Sequence, residues 1–302
     1  MIFSEYFDSW SKEYYAKGVS VGKNGDFYTA VSVGEIFGFL CAKRFVNLIN
    51  SNIIKLPIDV VEIGANEGYF INDFANYLMQ NHQNIYEKIN FCIIEPHEKL
   101  RQIQTKNTRN KFLHFYLQDF KSKNAFFISN ELLDAFACEL YDNGKIAFVN
   151  NHKIIFKENT KDFLYLKNPE FKKGEFCPYL YDFFNLLKNN CEEFYFLTFD
   201  YFNEFLKDDF SLKIFKNHNI IDPFLADLST LYANSDITYN VNYDEVKFYL
   251  SSLNLNHTLK KQSVALCDFG IETFTEPKYI NQIKNLLFGF SDNFKCLEIF
   301  KK

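Results

Sequence analysis

The sequence predicts an α/β fold built on a doubly wound, mostly parallel sheet. Three observations point there. Short apolar runs of strand length alternate with segments whose apolar residues recur at helical spacing. Four of those runs end on a glycine or a polar residue, at Gly64, Glu95, Asp119 and Asn130. No repeat, Pro/Gly/Ser-rich linker or low-complexity tract divides the 302 residues, so one domain with embellishments is expected over 1–302. Ligands of such sheets sit beyond the carboxyl ends of the strands, near the reversal in strand order.

The elements follow in order. Residues 1–32 are polar and aromatic with glycines at 18, 22 and 25, and carry no expected sheet element. Ile36, Phe37, Leu40, Cys41, Phe45 and Leu48 fall at helical spacing through Asn50. Next come a strand over Asp59 to Ile63, a helix over Tyr69 to Met79, a strand over Phe91 to Ile94 and a helix over His97 to Gln104. Strands are expected at Phe112 to Leu117 and Phe126 to Ser129. Lys145 to Val149 and Lys153 to Phe156 flank the turn Asn150-Asn151-His152 and read as an antiparallel excursion. A helix around Tyr179 to Lys188 precedes a fifth parallel strand, Phe194 to Phe199. Residues 203–240 read as a long irregular loop, a type that is usually functional or disordered. A helix near Asp244 to Leu253 and strands near Ser263 to Cys267 and Cys296 to Phe300 complete the expected sheet.

The most informative stretch is Val60 to Phe70, an apolar run that breaks into the turn Gly64-Ala65-Asn66-Glu67-Gly68 and reopens as a helix. Dinucleotide folds want G-x-G-x-x-G there, but Asn66 and Tyr69 stand at the second and third glycine positions. S-adenosylmethionine (SAM) carries no phosphate and needs only close backbone approach around Gly64 and Gly68. Glu95 lies about one βαβ unit beyond Glu62, where a carboxylate can accept both ribose hydroxyls. An ordinary α/β turn followed by a solvated glutamate is the competing reading of these two segments. From the turn onward the chain divides into an N-terminal extension (1–56), a cofactor half (57–136), an antiparallel and helical excursion (137–193) and a C-terminal half (194–302) with a substrate-side insertion at 203–262.

Composition bounds the rest. Aromatics make up 19% of the chain, with 37 Phe and 19 Tyr, so the core should be packed largely with rings. The net charge of -5 comes from interspersed Lys and Asp/Glu, which disfavours a nucleic-acid partner. Seven scattered cysteines with no CxxC pair read as reduced core thiols of a cytoplasmic protein. No basic leader and no run of about 18 apolar residues appears, so neither export nor a membrane span is expected. Six histidines without ligand spacing predict no metal. Neither a G-x-S-x-G elbow nor a P-loop lysine motif is present to support hydrolase or triphosphatase chemistry.

With Gly25-Asp26-Phe27-Tyr28-Thr29, Val61-Glu62-Ile63-Gly64 with Gly68, Asn130-Glu131-Leu132-Leu133-Asp134-Ala135, Asp200-Tyr201 and Ser235 to Asn242, the chain resembles a known family over nearly its whole length. That family is the MidA-like SAM-dependent methyltransferases, which include the mitochondrial complex I assembly factor that methylates an arginine, and its bacterial relatives. The chain departs from the family pattern at Asn66, where a glycine is usual, and at Phe202, where glycine usually follows the Asp-Tyr pair. Asn tolerates left-handed backbone angles, whereas Phe202 would alter the local shape of a substrate pocket.

The resemblance implies a class I Rossmann-like SAM methyltransferase acting on a protein arginine. A guanidinium is protonated in water and must be held, oriented and relieved of a proton, tasks that carboxylates perform. Glu131 and Asp134, with Asp26, are the candidate catalytic residues; Glu139 follows on the same excursion. The competing reading makes Asn130 the cap of a helix whose first turn carries Glu131 and Asp134. Cofactor contacts are expected from Glu62, Gly64, Ala65, Asn66, Gly68, Glu95, Asn130 and Thr29, with Asp119 at the adenine amino group and Phe120 against the ring. Tyr28, Asp200, Asp236 and Thr238 are expected on the substrate side. Two other functions fit the same residues: a SAM-fold assembly module without catalysis, using 203–240 as a partner surface, and a small-molecule methyltransferase. Exposed aromatic surface would support a homodimer.

Overall fold

The chain opens with an aromatic stripe at helical spacing, and a computed structural model, which describes residues 1–17, 29–108, 110–206, 208–217 and 219–301, shows what that stripe does. Phe3, Phe7, Trp10 and Tyr14 bury on one face of α1 (Phe3–Ala16), a helix that composition alone did not announce. Its charged residues occupy the other face. α2 (Ile36–Asn50) follows and lies closely along the helix Tyr69–Asn81, because Gly38 lets the two backbones approach; a Cβ at Gly38 would come within 3.0 Å of the Phe74 amide nitrogen.

The α/β core then runs β1 (Ile58–Ile63), α3 (Tyr69–Asn81), α4 (Gln83–Tyr86), β2 (Ile89–Ile94), α5 (Glu98–Asn107), β3 (Leu113–Phe115) and β4 (Ser122–Asn130). A four-stranded antiparallel sheet interrupts it: β5 (Glu139–Asp142), β6 (Lys145–Asn150), β7 (Lys153–Glu158) and β8 (Lys173–Phe176), in the order β7-β6-β5-β8. After α6 (Tyr179–Asn190) the chain returns to the main sheet as β9 (Cys191–Asn203). The expected loop at 203–240 instead holds a small antiparallel sheet of β10 (Lys213–Lys216), β11 (Asn219–Ile221) and β12 (Asp236–Thr238). Strands of three or four residues carry too little alternation to be read from sequence.

β13 (Val241–Asn242), α7 (Tyr243–Ser252), β14 (Asn256–Lys261), α8 (Gln262–Asp268), α9 (Ile280–Phe288) and β15 (Phe294–Lys301) complete the chain. The strand expected at Ser263 to Cys267 is helix α8, and the strand lies one segment earlier as β14. A short apolar run fits a buried helix as well as a strand, and here Ala265 and Leu266 are buried while Val264 faces out.

The main sheet has the order β14-β15-β9-β4-β1-β2-β3, with β13 alongside β9. β1 to β4 and β9 run parallel; β15 is antiparallel to β9, and β14 to β15. Strand alternation sends successive side chains to two cores. Val61, Ile63, Phe127 and Phe196 pack beneath α1, the excursion and α6; Val60, Phe126, Phe199 and Leu197 pack beneath α2, α3 and α8. The strand order reverses between β1 and β4, so the carboxyl ends of β1, β2 and β4 open into one crevice. Among the described residues no helix is long and apolar enough to cross a membrane. All seven cysteines are free, and all but Cys267 are buried.

Candidate active site

At the end of β1 the chain must turn sharply, and it does so through three left-handed residues: Gly64 at φ 70°, Asn66 at 44° and Gly68 at 84°. Asn66 takes the left-handed angle that its side chain allows, so the missing middle glycine leaves the turn intact. Its carbonyl accepts from Gln104 Nε2 at 2.8 Å. A cavity of about 1010 Å³ opens over the turn, lined by Glu62, Gly64, Ala65, Asn66, Glu95, Asn130, Glu131 and Thr29.

Carboxylates dominate its polar lining. Glu62 Oε2 accepts from the Ile71 amide at 2.9 Å, inside the first turn of α3. The anion-binding amides at that helix start therefore face a carboxylate, which leaves them ill placed to cradle a phosphate. Glu95 accepts from the His97 amide at 3.0 Å and from Gln104 Nε2 at 3.3 Å. Burial pushes Glu62 up to about 8, and Glu95 and Asp73 up to about 7. Carboxyl groups along this wall offer acceptors to the hydroxyl and amino groups of a nucleoside ligand, and a cation bound beside them would favour their ionised forms.

A second cavity of about 490 Å³ adjoins the first, and Ser11, Tyr15, Glu131 and Ala135 line both. Its inner wall carries Glu131, Asp134 and Asp236, with Tyr201, Thr238 and Asn240. Thr238 Oγ1 donates to Asp134 Oδ2 at 2.9 Å, and the Tyr15 hydroxyl donates to Asp236 Oδ1 at 3.2 Å. Glu131 keeps some solvent access through the cavities although protein surrounds it. Burial first, and then the neighbouring Asp134, push its carboxyl up to about 8. Asn130 Nδ2 donates to Glu131 Oε1 at 3.0 Å, while Asn130 Oδ1 is buried without a protein partner.

Glu131 itself sits at φ 51°, unusual for a residue with a side chain. Its amide donates to the Phe199 carbonyl at 2.8 Å. Asp200 Oδ2 then accepts from the amides of Leu132 and Leu133, at 3.0 and 2.6 Å. β9 thus pins the bend that presents Glu131.

Several expected residues take other places. Asp200 is fully buried behind the site with its oxygens committed to backbone amides, including that of Tyr201 at 2.8 Å, so it holds the loop and does not face substrate. Tyr201, its neighbour on the strand, lines the smaller cavity. Asp119 is exposed and outside the lining, and Phe120 is buried edge-on between Phe115 and Phe127; Tyr116, Leu117 and Gln118 line the cavity there. Gly68 serves helix packing, since a Cβ would meet Thr108 Cγ2 at 3.0 Å and Gln104 Cγ at 3.3 Å. Asn130 ends β4 and caps no helix, because only the short turn Leu133–Ala135 follows. Phe202 is buried edge-on against Tyr243 and lines neither cavity, so it does not reshape the pocket. Glu139 is buried under α1, bonded to Ser4. Asp26 and Tyr28 lie outside the described residues. Sequence reasoning missed Ser11 and Tyr15; the helical spacing of aromatics from Phe3 to Tyr14 was the available signal.

The fold and this paired, acid-lined crevice define an α/β enzyme that uses a nucleoside cofactor at the switch point of its sheet. The family described as "Putative S-adenosyl-L-methionine-dependent methyltransferase" matches residues 40–258, and the chain belongs to it. The protein is accordingly a SAM-dependent methyltransferase. Its fold is similar to that of a superfamily member from Burkholderia thailandensis crystallised with S-adenosylhomocysteine (SAH), with a TM-score of 0.81 and 14% identity over 100% of this chain and 88% of that one. A native structure of a superfamily protein from the same organism gives 0.77 and 16% over 100% and 87%. No curated protein matches the chain.

Proposed function

We propose that the enzyme is a protein arginine N-methyltransferase, with the larger cavity holding SAM and the smaller one the acceptor guanidinium. The position of Glu131 carries this reading: it alone among the acids lines both cavities among the described residues. SAM supplies a methyl group on a positively charged sulfur. Glu62, Gly64, Ala65 and Asn66 would hold its methionine and nucleoside portions, Glu95 would accept from ribose hydroxyls, and Leu117 and Gln118 would take the adenine side. Asn130 lines the same cavity, with its Nδ2 bonded to Glu131 Oε1. Thr29 is bonded to Ser32 and adds wall more than a contact.

Glu131, Asp134 and Asp236 form an acidic recess suited to pairing with a planar cation. Glu131 holds the guanidinium nitrogen towards the cofactor cavity and takes its proton; its raised proton affinity suits that role near neutral pH. Asp134, fixed by Thr238, and Asp236 orient the remaining nitrogens. The free thiols fit a reducing, cytoplasmic setting. The test is transfer from methyl-labelled SAM into a size-fractionated cell extract, followed by hydrolysis. Methylarginine in the macromolecular fraction is expected. Label confined to the low-molecular-weight fraction overturns the protein-directed reading, and label on another residue overturns arginine.

A further inference from the structure

Gln104, on α5, is fully buried beside the glycine turn. Its Nε2 donates to the Asn66 carbonyl at 2.8 Å and to Glu95 Oε2 at 3.3 Å, while its Oε1 meets His114 Nε2 at 3.0 Å. Only one orientation of the amide serves all three contacts. The Asn66 carbonyl and the Glu95 carboxylate both need a donor, so the NH2 group faces them and His114 donates from Nε2. A single amide thus joins the turn after β1, the acid after β2 and a side chain of β3. Gly68 makes room for it, since a Cβ there would stand 3.3 Å from Gln104 Cγ and 3.5 Å from Gln104 Cβ. Among the described residues the Glu95 carboxyl group has one other hydrogen-bond donor, the His97 amide at Oε1.

We propose that Gln104 is a positioning residue for the cofactor ribose: its amide spaces the glycine turn from Glu95 and fixes the plane of the carboxyl group that meets the two ribose hydroxyls. This rests on the larger cavity holding SAM with Glu95 at the ribose. Hydroxyls on adjacent carbons are matched by the two oxygens of a carboxylate only while that group keeps one plane. With the His97 amide at Oε1 and Gln104 at Oε2, each oxygen is bonded once and keeps a second lone pair for a hydroxyl. Removing the Gln104 amide leaves one bond, which does not fix the plane.

The test uses calorimetry on the full chain with two probes, SAH and its analogue lacking both ribose hydroxyls. Wild-type protein should prefer SAH. Gln104→Met keeps the length and the unbranched stem of the side chain but removes the amide; it should reduce that preference on the order of tenfold, the value of a hydrogen bond to a charged group. A loss of packing or of the turn would instead weaken both probes equally. Should Gln104→Met not fold, His114→Leu leaves Gln104 in place and removes the donor that sets its orientation, and it should reduce the same preference about threefold. Equal losses for the two probes, or a wild-type preference retained in the folded variant, overturns the role of Gln104 and leaves Glu95 at the ribose. Wild-type protein that binds SAH and the analogue equally well overturns the placement of Glu95 at the ribose, and the role of Gln104 with it.

Discussion

Glu131 combines three costs in one residue: a left-handed backbone, burial and a like-charged neighbour in Asp134. Left-handed angles in residues with side chains cost about 1–3 kcal/mol and persist where surrounding contacts enforce them. Here the enforcing contacts are the Phe199 carbonyl and the Asp200 carboxylate. Glu131→Gln should lower turnover by about 10²- to 10⁴-fold while SAH affinity measured by calorimetry stays near wild type. An equal loss of both would make Glu131 a cofactor support. In the wild type, kcat/KM should rise with pH through about 8 as Glu131 gives up its proton in the free enzyme; a flat profile would remove it as proton acceptor. Asp200→Ala should cost about 1–3 kcal/mol in denaturant unfolding, because the amides of Leu132, Leu133 and Tyr201 lose their acceptor. The Asn130 to Ala135 motif marked this loop in the sequence. Its geometry was not legible, because the bend is imposed by β9, some seventy residues later.

At the scale of elements, the parallel strands and their helices were legible because buried strands read as continuous apolar runs. Helix α1 and the β10 to β12 sheet were not. α1 mixes its aromatic stripe with Ser, Asp, Glu and Lys, and its partners lie far away in sequence, at Glu139, His152 and Ser235. Alternation explains the miss at Asp200, since adjacent residues of a strand face opposite sides and a motif does not say which faces the cavity; Asp119 lies in the turn after β3, closed by its amide on the Tyr116 carbonyl, where which side chain faces the cavity depends on the turn and not on strand period. Trp10 is fully buried at the centre of the α1 contact. Trp10→Ala should cost about 3–5 kcal/mol in equilibrium unfolding and lower turnover, since the helix that carries Ser11 and Tyr15 loses its main anchor. Turnover unchanged in a folded Trp10→Ala variant would show that α1 is dispensable for the site.

For the molecule as a whole, buried acids set the pH response. Burial raises Glu62, Glu131 and Glu245 to about 8, and Glu95, Glu139 and Glu175 to about 7, from an ordinary 4.5. Between those values the folded chain holds protons that the unfolded chain has released, so stability falls as pH rises. The contribution is complete below about 4.5 and lost through 7 to 8. Thermal unfolding of the ligand-free protein should show a lower midpoint at pH about 8.5 than at about 6; the reverse order would mean these groups ionise freely in the fold.

The acid wall over the glycine turn bears on product inhibition. With SAM in the larger cavity as proposed, a positive sulfur arrives and neutral SAH leaves, so ionised Glu62, Asp73 and Glu95 would favour the fresh donor over the spent one. As pH falls and these groups take up protons, that preference fades. On that placement, ambient acidity would set how strongly accumulated product competes with the donor for the crevice.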